Sequence, residues 1–188
     1  MPLQTNETKK KRRTPWILAI SLFAVVLGIT LASQLNKSDT SYLNRDWVAY
    51  KATNGNFQIL FPKDPALETK QLAPGTSTTW YTANVDQARS YEVTAIESPL
   101  WDAANPESAL TNTVETVSGD EGRKLVSSSF ITFKGYKAVD YTVKQGNVII
   151  RFRSLIIDHS LYTLTAAFDN VIVDEKGFTK FVDSFEQI

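Results

Sequence analysis

His159 is the only histidine and the only side chain whose ordinary pKa lies near neutrality, and it stands between Asp158 and Ser160. By residue type this is the set that a serine hydrolase uses. By spacing it is not, because three consecutive residues in a tight turn point their side chains apart, whereas a triad needs them converging. The trio reads as an exposed turn. A glycosidase requires two carboxylates across one cleft at a defined separation, and the spacing of the 20 acidic residues singles out no pair. The eight glycines are scattered and match neither dinucleotide nor phosphate-loop spacing. Asp169, Asp174 and Glu175 offer oxygens of the kind Ca²⁺ prefers, but a helix cap followed by a solvated turn accounts for all three. No catalytic residue, metal ligand or cofactor site is therefore assigned. The absence of cysteine removes disulfides, thiolate metal sites, thiol catalysis and a lipid-modified cysteine anchor.

Aromatic residues offer more than the titratable ones. Trp80 and Tyr81 are adjacent in a strand-like run, so they face opposite sides of any sheet that contains them. If one side is uncovered, the member facing it marks a contact surface; if both are covered, both are core. Trp101, in Pro99-Leu100-Trp101, precedes a helix and serves either as a lid on the core or as part of a partner or ligand site. Trp80, Tyr81 and Trp101 are the candidate contact surface.

The formal charge is zero, with 20 basic and 20 acidic side chains. Six bases and one acid lie before residue 38, leaving 14 basic and 19 acidic groups after it, a balance of −5. A region of that sign lacks the basic footprint that neutralises phosphates, which excludes nucleic acid as a partner.

The 23 residues from Thr14 to Asn36 carry no ionisable side chain, and their centre includes Trp16, Ile17, Leu18, Phe23, Val25 and Leu27. A helix rising about 1.5 Å per residue crosses about 30 Å of hydrocarbon in some 20 such positions. Lys9, Lys10, Lys11, Arg12 and Arg13 precede it, so the positive-inside rule keeps the N-terminus cytoplasmic and exports the residues beyond the span. The same cations attract anionic lipid. Alternative readings are a cleaved signal peptide ending near Thr30 and Ala32, a buried globular helix, and, for the basic run, a nuclear address. The apolar run exceeds the usual signal-peptide length, which favours a retained signal-anchor. The expected division is a basic cytoplasmic tail over 1–13, a single-pass transmembrane helix over 14–36, a polar tether over 37–46 and an extracytoplasmic domain over 47–188.

That domain reads as alternating strands. Trp47 to Ala52 and Phe57 to Phe61 form a hairpin across Asn54-Gly55. Further strands are expected at Leu67 to Leu72, Thr78 to Val85, Ser90 to Glu97, Lys124 to Phe133 and Tyr136 to Lys144. A two-residue turn at Gln145-Gly146 or Gly146-Asn147 puts Tyr141 and Val143 on the face of Val148, Ile150 and Phe152. The opposite face then sets Asp140 across from Arg151 or Arg153. If Ile150, Phe152 and Ile156 share a face with Tyr162, Leu164, Ala166 and Phe168, the connection must hold an odd number of residues, and Asp158-His159-Ser160 supplies three. Asn105-Pro106-Glu107 starts a helix with Leu110, Val114 and Val117 on one stripe up to Gly119. Asp174 caps a last helix with Phe178, Phe181, Val182 and Phe185 at i, i+3, i+4 and i+7. The sum is an α+β fold of seven or eight strands, mostly antiparallel, covered by two amphipathic helices and preceded by the transmembrane helix.

This order resembles the PsbP-like superfamily, which includes the extrinsic photosystem II proteins of the thylakoid lumen and many uncharacterised bacterial proteins. The residues carrying the likeness are Tyr50-Lys51, the Asn56-Phe57-Gln58-Ile59-Leu60-Phe61-Pro62 run, Leu161-Tyr162-Thr163-Leu164-Thr165-Ala166, and the closing stretch from Phe178 to Phe185. It spans Trp47 to Ile188 and rests on core patterning more than on chemistry. The resemblance implies an α/β/α sandwich. The photosystem proteins usually place a tryptophan soon after the early proline, whereas here Phe61-Pro62-Lys63-Asp64-Pro65 runs on into Ala66-Leu67-Glu68; they are also free lumenal subunits, and this chain reads as tethered. No binding residue is carried over. The expected function is a non-catalytic, membrane-anchored module that contacts an envelope or thylakoid membrane protein in assembly or stabilisation of a complex. The alternatives are a small-molecule or lipid carrier with a pocket between sheet and helix, and a carboxylate hydrolase.

Overall fold

The computed structural model describes residues 46–52, 56–99, 101, 105–170 and 174–188. The segments expected as the basic tail, the transmembrane helix and all but the last residue of the tether, together with the expected Asn54-Gly55 turn, lie outside the described residues. Among those described, no helix is long and apolar enough to cross a membrane.

The strands are β1 (Val48–Ala52), β2 (Phe57–Phe61), β3 (Ala66–Ala73), β4 (Thr76–Asp86), β5 (Arg89–Glu97), β6 (Arg123–Phe133), β7 (Tyr136–Gln145), β8 (Val148–Ile157), β9 (Ser160–Asp169) and β10 (Glu186–Gln187). The helices are α1 (Pro106–Ser118) and α2 (Glu175–Asp183). Seven strands form one antiparallel sheet in the order β3-β4-β5-β9-β8-β7-β6. A second, three-stranded sheet has the order β1-β2-β10.

Both faces of the central strands of the large sheet are buried, and each face has its own core. On one face Leu110, Val114 and Val117 of α1 pack with Val139, Tyr141, Val143, Ile150, Phe152, Ile156 and Leu161. On the other, Phe57, Ile59 and Phe61 of the small sheet join Phe178, Phe181 and Val182 of α2, with Phe185 just beyond it, over Tyr81, Tyr91, Val93, Tyr162, Leu164, Ala166 and Phe168. Two helices therefore do cover the large sheet, but the second shares its face with the small sheet. The opening hairpin and β10 build that extra layer. Backbone pairs place Glu186 opposite Gln58 and Gln187 opposite Phe57, and the Ile188 amide donates to the Asn56 carbonyl at 2.9 Å. A serine hydroxyl ties helix to sheet there: the Leu60 amide donates to Ser184 Oγ at 2.9 Å while that hydroxyl donates to the Phe181 carbonyl at 2.7 Å.

The β7–β8 hairpin turns on Gly146-Asn147, with Tyr141 opposite Phe152 and Val143 opposite Ile150. Gly146 has φ +57°, the left-handed region that glycine enters without strain. This register sets Asp140 opposite Arg153, and the guanidinium grips the carboxylate through two bonds of 2.7 and 2.8 Å.

The next connection corrects the expectation. Ile157 pairs with Ser160, so the loop is the two residues Asp158-His159, and its even length sends the two apolar sets to opposite faces. Ile150, Phe152 and Ile156 pack under α1, while Tyr162, Leu164, Ala166 and Phe168 pack under the small sheet and α2. The physical reason is that β9 is buried on both faces and feeds both cores, Leu161 and Ala167 on the α1 side and Tyr162, Leu164, Ala166 and Phe168 on the opposite side. All eight residues from Leu161 to Phe168 are buried.

Both helices start where the capping residues stand, but only one uses its cap. Asp174 accepts from the Gly177 amide at 2.8 Å, whereas Asn105 makes no side-chain capping bond, and α1 relies on Pro106 and Glu107 in its first turn.

Candidate interaction surface

Of the three residues expected to form a contact surface, Trp80 and Tyr81 are buried and Trp101 is half-buried. Tyr81 is 1% exposed and packs its ring against Tyr50 and Phe57, at centroid separations of 5.8 and 5.0 Å. Burial pushes its hydroxyl pKa up to about 12. Trp80, pointing to the other face between Glu68 and Thr94 in the register, is 7% exposed. Pleat alternation did separate the pair, and because both faces are covered, both are core. Trp101 is half-buried against the α1-side core, and its indole N–H donates to the Ile96 carbonyl at 3.0 Å. The bond fastens Trp101 itself to the end of β5.

His159 is exposed on the β8–β9 turn, with Nδ1 3.3 Å from the Trp101 carbonyl oxygen, and it is paired with neither Asp158 nor Ser160 in any bond described. The acids near α2 are engaged structurally: Asp174 caps the helix and Glu175 pairs with Arg151. Among the described residues no three of His, Asp or Glu gather closely enough to hold a metal ion.

Glu92 was not singled out by its sequence context. It is 2% exposed in the middle of β5, accepting from Thr94 Oγ1 at 2.9 Å and from Thr82 Oγ1 at 2.9 Å. Burial raises its pKa to about 7, against the two hydroxyl bonds, which lower it, and with a smaller upward push from Glu68. The same face carries buried Ser90, Thr94, Ser154, Thr163 and Thr165. Ser-Tyr-Glu-Val-Thr alternates cleanly, and a polar alternate face ordinarily means water; the signal for burial lies in the similarly hydroxyl-rich Thr163 and Thr165 of β9, paired beside it. Hydroxyls and one protonatable carboxyl can hold a proton near neutrality, but they assemble no nucleophile with its base.

The space between α1 and the sheet, one place for the alternative of a ligand pocket, is occupied by the apolar side chains of the core. An open groove of about 350 Å³ lies instead on the outer side of the small sheet, along Ala49, Lys51, Gln58, Leu60 and Glu186. The exposed apolar side chains are elsewhere. Of the six large ones among the described residues, Leu125, Val126 and Phe130 lie on β6 and Tyr136 opens β7.

No protein-family model matches the chain, and no curated protein matches it either. Among solved structures it is similar to the cyanobacterial PsbP of Synechocystis sp. PCC 6803, at 17% identity and a TM-score of 0.49, over 85% of this chain and 99% of that one. A Pseudomonas aeruginosa protein of unknown function, described as a putative regulator, is similar at 13% identity and a TM-score of 0.39, over 68% of this chain and 85% of the other. A Bacteroides thetaiotaomicron protein is similar at 8% identity and a TM-score of 0.38, over 74% of this chain and 48% of the other.

Proposed function

We propose that the chain is a membrane-anchored, extracytoplasmic, non-catalytic module whose folded domain contacts a membrane protein of an envelope or thylakoid and helps to assemble or stabilise its complex. The observation that carries this is the uncharged stretch from Thr14 to Asn36 directly behind five consecutive cations, Lys9 to Arg13. The folded domain supports a binding role more than a chemical one. Its one histidine is on an exposed turn, and its best-buried acid, Glu92, is bonded by threonine hydroxyls with no catalytic partner beside it.

Protease added to sealed, oriented vesicles should digest the domain without detergent. Protection until the bilayer is dissolved would reverse the topology and remove the proposal. Cross-linking in intact membranes should then trap a membrane protein; repeated capture of none, with the domain correctly exported, would defeat the docking role alone.

A further inference from the structure

The two edges of the large sheet differ in a way that concerns assembly. An edge strand presents unpaired N–H and C=O groups that invite another strand, and proteins blunt such edges with charge, proline, bulges or short length. Edge strand β3 is blunted by all but the last: Pro65 precedes it, Pro74 follows it, Glu68 and Lys70 stand within it, and its register shifts between Gln71 and Ala73. Edge strand β6 is 11 residues long, and between Lys124 and Lys134 it has nine residues without an ionisable side chain. Among the described residues it pairs only with β7. Phe130 is 46% exposed on it, with Leu125 and Val126 at 40% and 58%.

We propose that β6 is a self-association edge: two copies of the chain pair β6 to β6, antiparallel, about a two-fold axis at Phe130. The register follows from the strand itself. A bulge between Leu125 and Ser127 interrupts the regular ladder, which then runs from Ser127 to Phe133. Only a pairing centred on Phe130 matches that whole segment with its own copy, Ser127 against Phe133, Ser128 against Thr132 and Ser129 against Ile131. Each of these pairs joins residues of one sheet face, as a two-fold axis normal to the sheet requires. The two Phe130 rings then meet across the axis, covering exposed apolar surface with an aromatic cross-strand pair. Lys124 lies beyond the bulge and Lys134 stands in the β6–β7 turn with φ +50°, so no charge falls within the seven paired residues and no like charges meet directly. The uncharged run thus fits a second copy of itself better than a charged partner strand. The inference rests on β6 and is independent of membrane anchoring.

Because the chain has no cysteine, a single introduced thiol reports one contact. At a two-fold axis between antiparallel strands, the paired Cα atoms lie within disulfide range. In full-length protein held in nanodiscs or detergent, Phe130→Cys should form a disulfide-linked dimer on mild oxidation. Thr179→Cys, exposed on α2, should not. The wild type should sediment as a dimer, and Phe130→Lys, which places like charges on the axis, should sediment as a monomer with an unchanged circular dichroism spectrum. A monomeric wild type, or a dimer that survives Phe130→Lys while Phe130→Cys fails to link, would overturn the inference. Should Phe130→Lys fail to fold, Ser128→Lys, exposed on the same strand, serves as the second disrupting variant with the same expected loss of dimer.

Discussion

Tyr91 on β5 donates its hydroxyl proton to Oδ2 of Asp174 at 3.0 Å while Oδ1 of the same carboxylate accepts the Gly177 amide at 2.8 Å. One side chain thereby caps α2 and moors it to the large sheet. Tyr91 is fully buried among Trp47, Phe168 and Phe181, with ring centroids 5.4, 5.9 and 5.3 Å away, so its hydroxyl is held by its own packing. Removing the cap, Asp174→Ala, should cost about 1–2 kcal/mol, and removing only the tyrosine's bond, Tyr91→Phe, about 0.5–1.5 kcal/mol. The two changes act on one carboxylate, so the double variant should cost less than their sum. Denaturant unfolding of all four proteins measures this coupling, and strict additivity would show that the two bonds are independent.

Gly177 gives the opposite of the usual helix rule. In an exposed helix interior, glycine to alanine stabilises by about 1 kcal/mol. Here a Cβ would collide with both the Asp174 carboxylate and the Tyr91 hydroxyl. Those atoms are the ones fixed by the bonds just described, so Gly177→Ala should lower the unfolding midpoint. A raised midpoint would mean that the capping carboxylate swings aside freely.

How much of this was readable beforehand depended on whether the deciding fact was local. The β7–β8 hairpin was, because Tyr141 and Val143 must share a face with Ile150 and Phe152 in either register, and the structure chooses the Gly146-Asn147 turn and the Asp140–Arg153 pair. The stripe of Phe178, Phe181, Val182 and Phe185 was readable for the same reason. The β8–β9 loop was not: its parity depends on which layers cover β9, and nothing near Asp158 records that the opening hairpin returns as a separate sheet. Trp80 and Tyr81 were sorted to opposite faces by alternation, but which face is covered is again a property of the whole. The β6 strand is legible in the sequence from Lys124 to Phe133, yet its place at an edge, which gives its missing charges a meaning, exists only in the strand order. Glu92 hid in plain alternation because a buried polar face and a wet one have the same pattern.

Phe152 and His159 test the face assignments directly. Phe152 is 1% exposed, stacked on Tyr141 at a centroid separation of 4.5 Å and an interplanar angle of 7° beneath α1. Phe152→Ala should cost about 3–5 kcal/mol. The His159 side chain is exposed, and its one described hydrogen bond is with a carbonyl at 3.3 Å, so His159→Ala, which keeps the backbone bond from Ser98, should stay within about 0.5 kcal/mol. Similar shifts in the unfolding midpoint for the two variants would contradict the placement of β8 and its turn.

Glu92 makes stability depend on pH with a definite sign. Its folded pKa, raised by burial to about 7, exceeds the ordinary value of 4.5. Between these values the folded chain binds a proton that the unfolded chain has released, so stability falls as pH rises. The contribution is fully present below about pH 4.5 and is lost as pH climbs through 7, and at about 1.4 kcal/mol per unit it amounts to roughly 3 kcal/mol. Glu92→Gln keeps an acceptor for Thr82 and Thr94 but carries no charge at any pH. The variant should therefore be more stable than wild type at pH 8 and similar to it at pH 4.5, so that the two unfolding free energies separate steadily across that window. Parallel curves would show that the Glu92 carboxyl already ionises normally in the folded chain, through water reaching β5 that its burial between Thr82 and Thr94 does not allow.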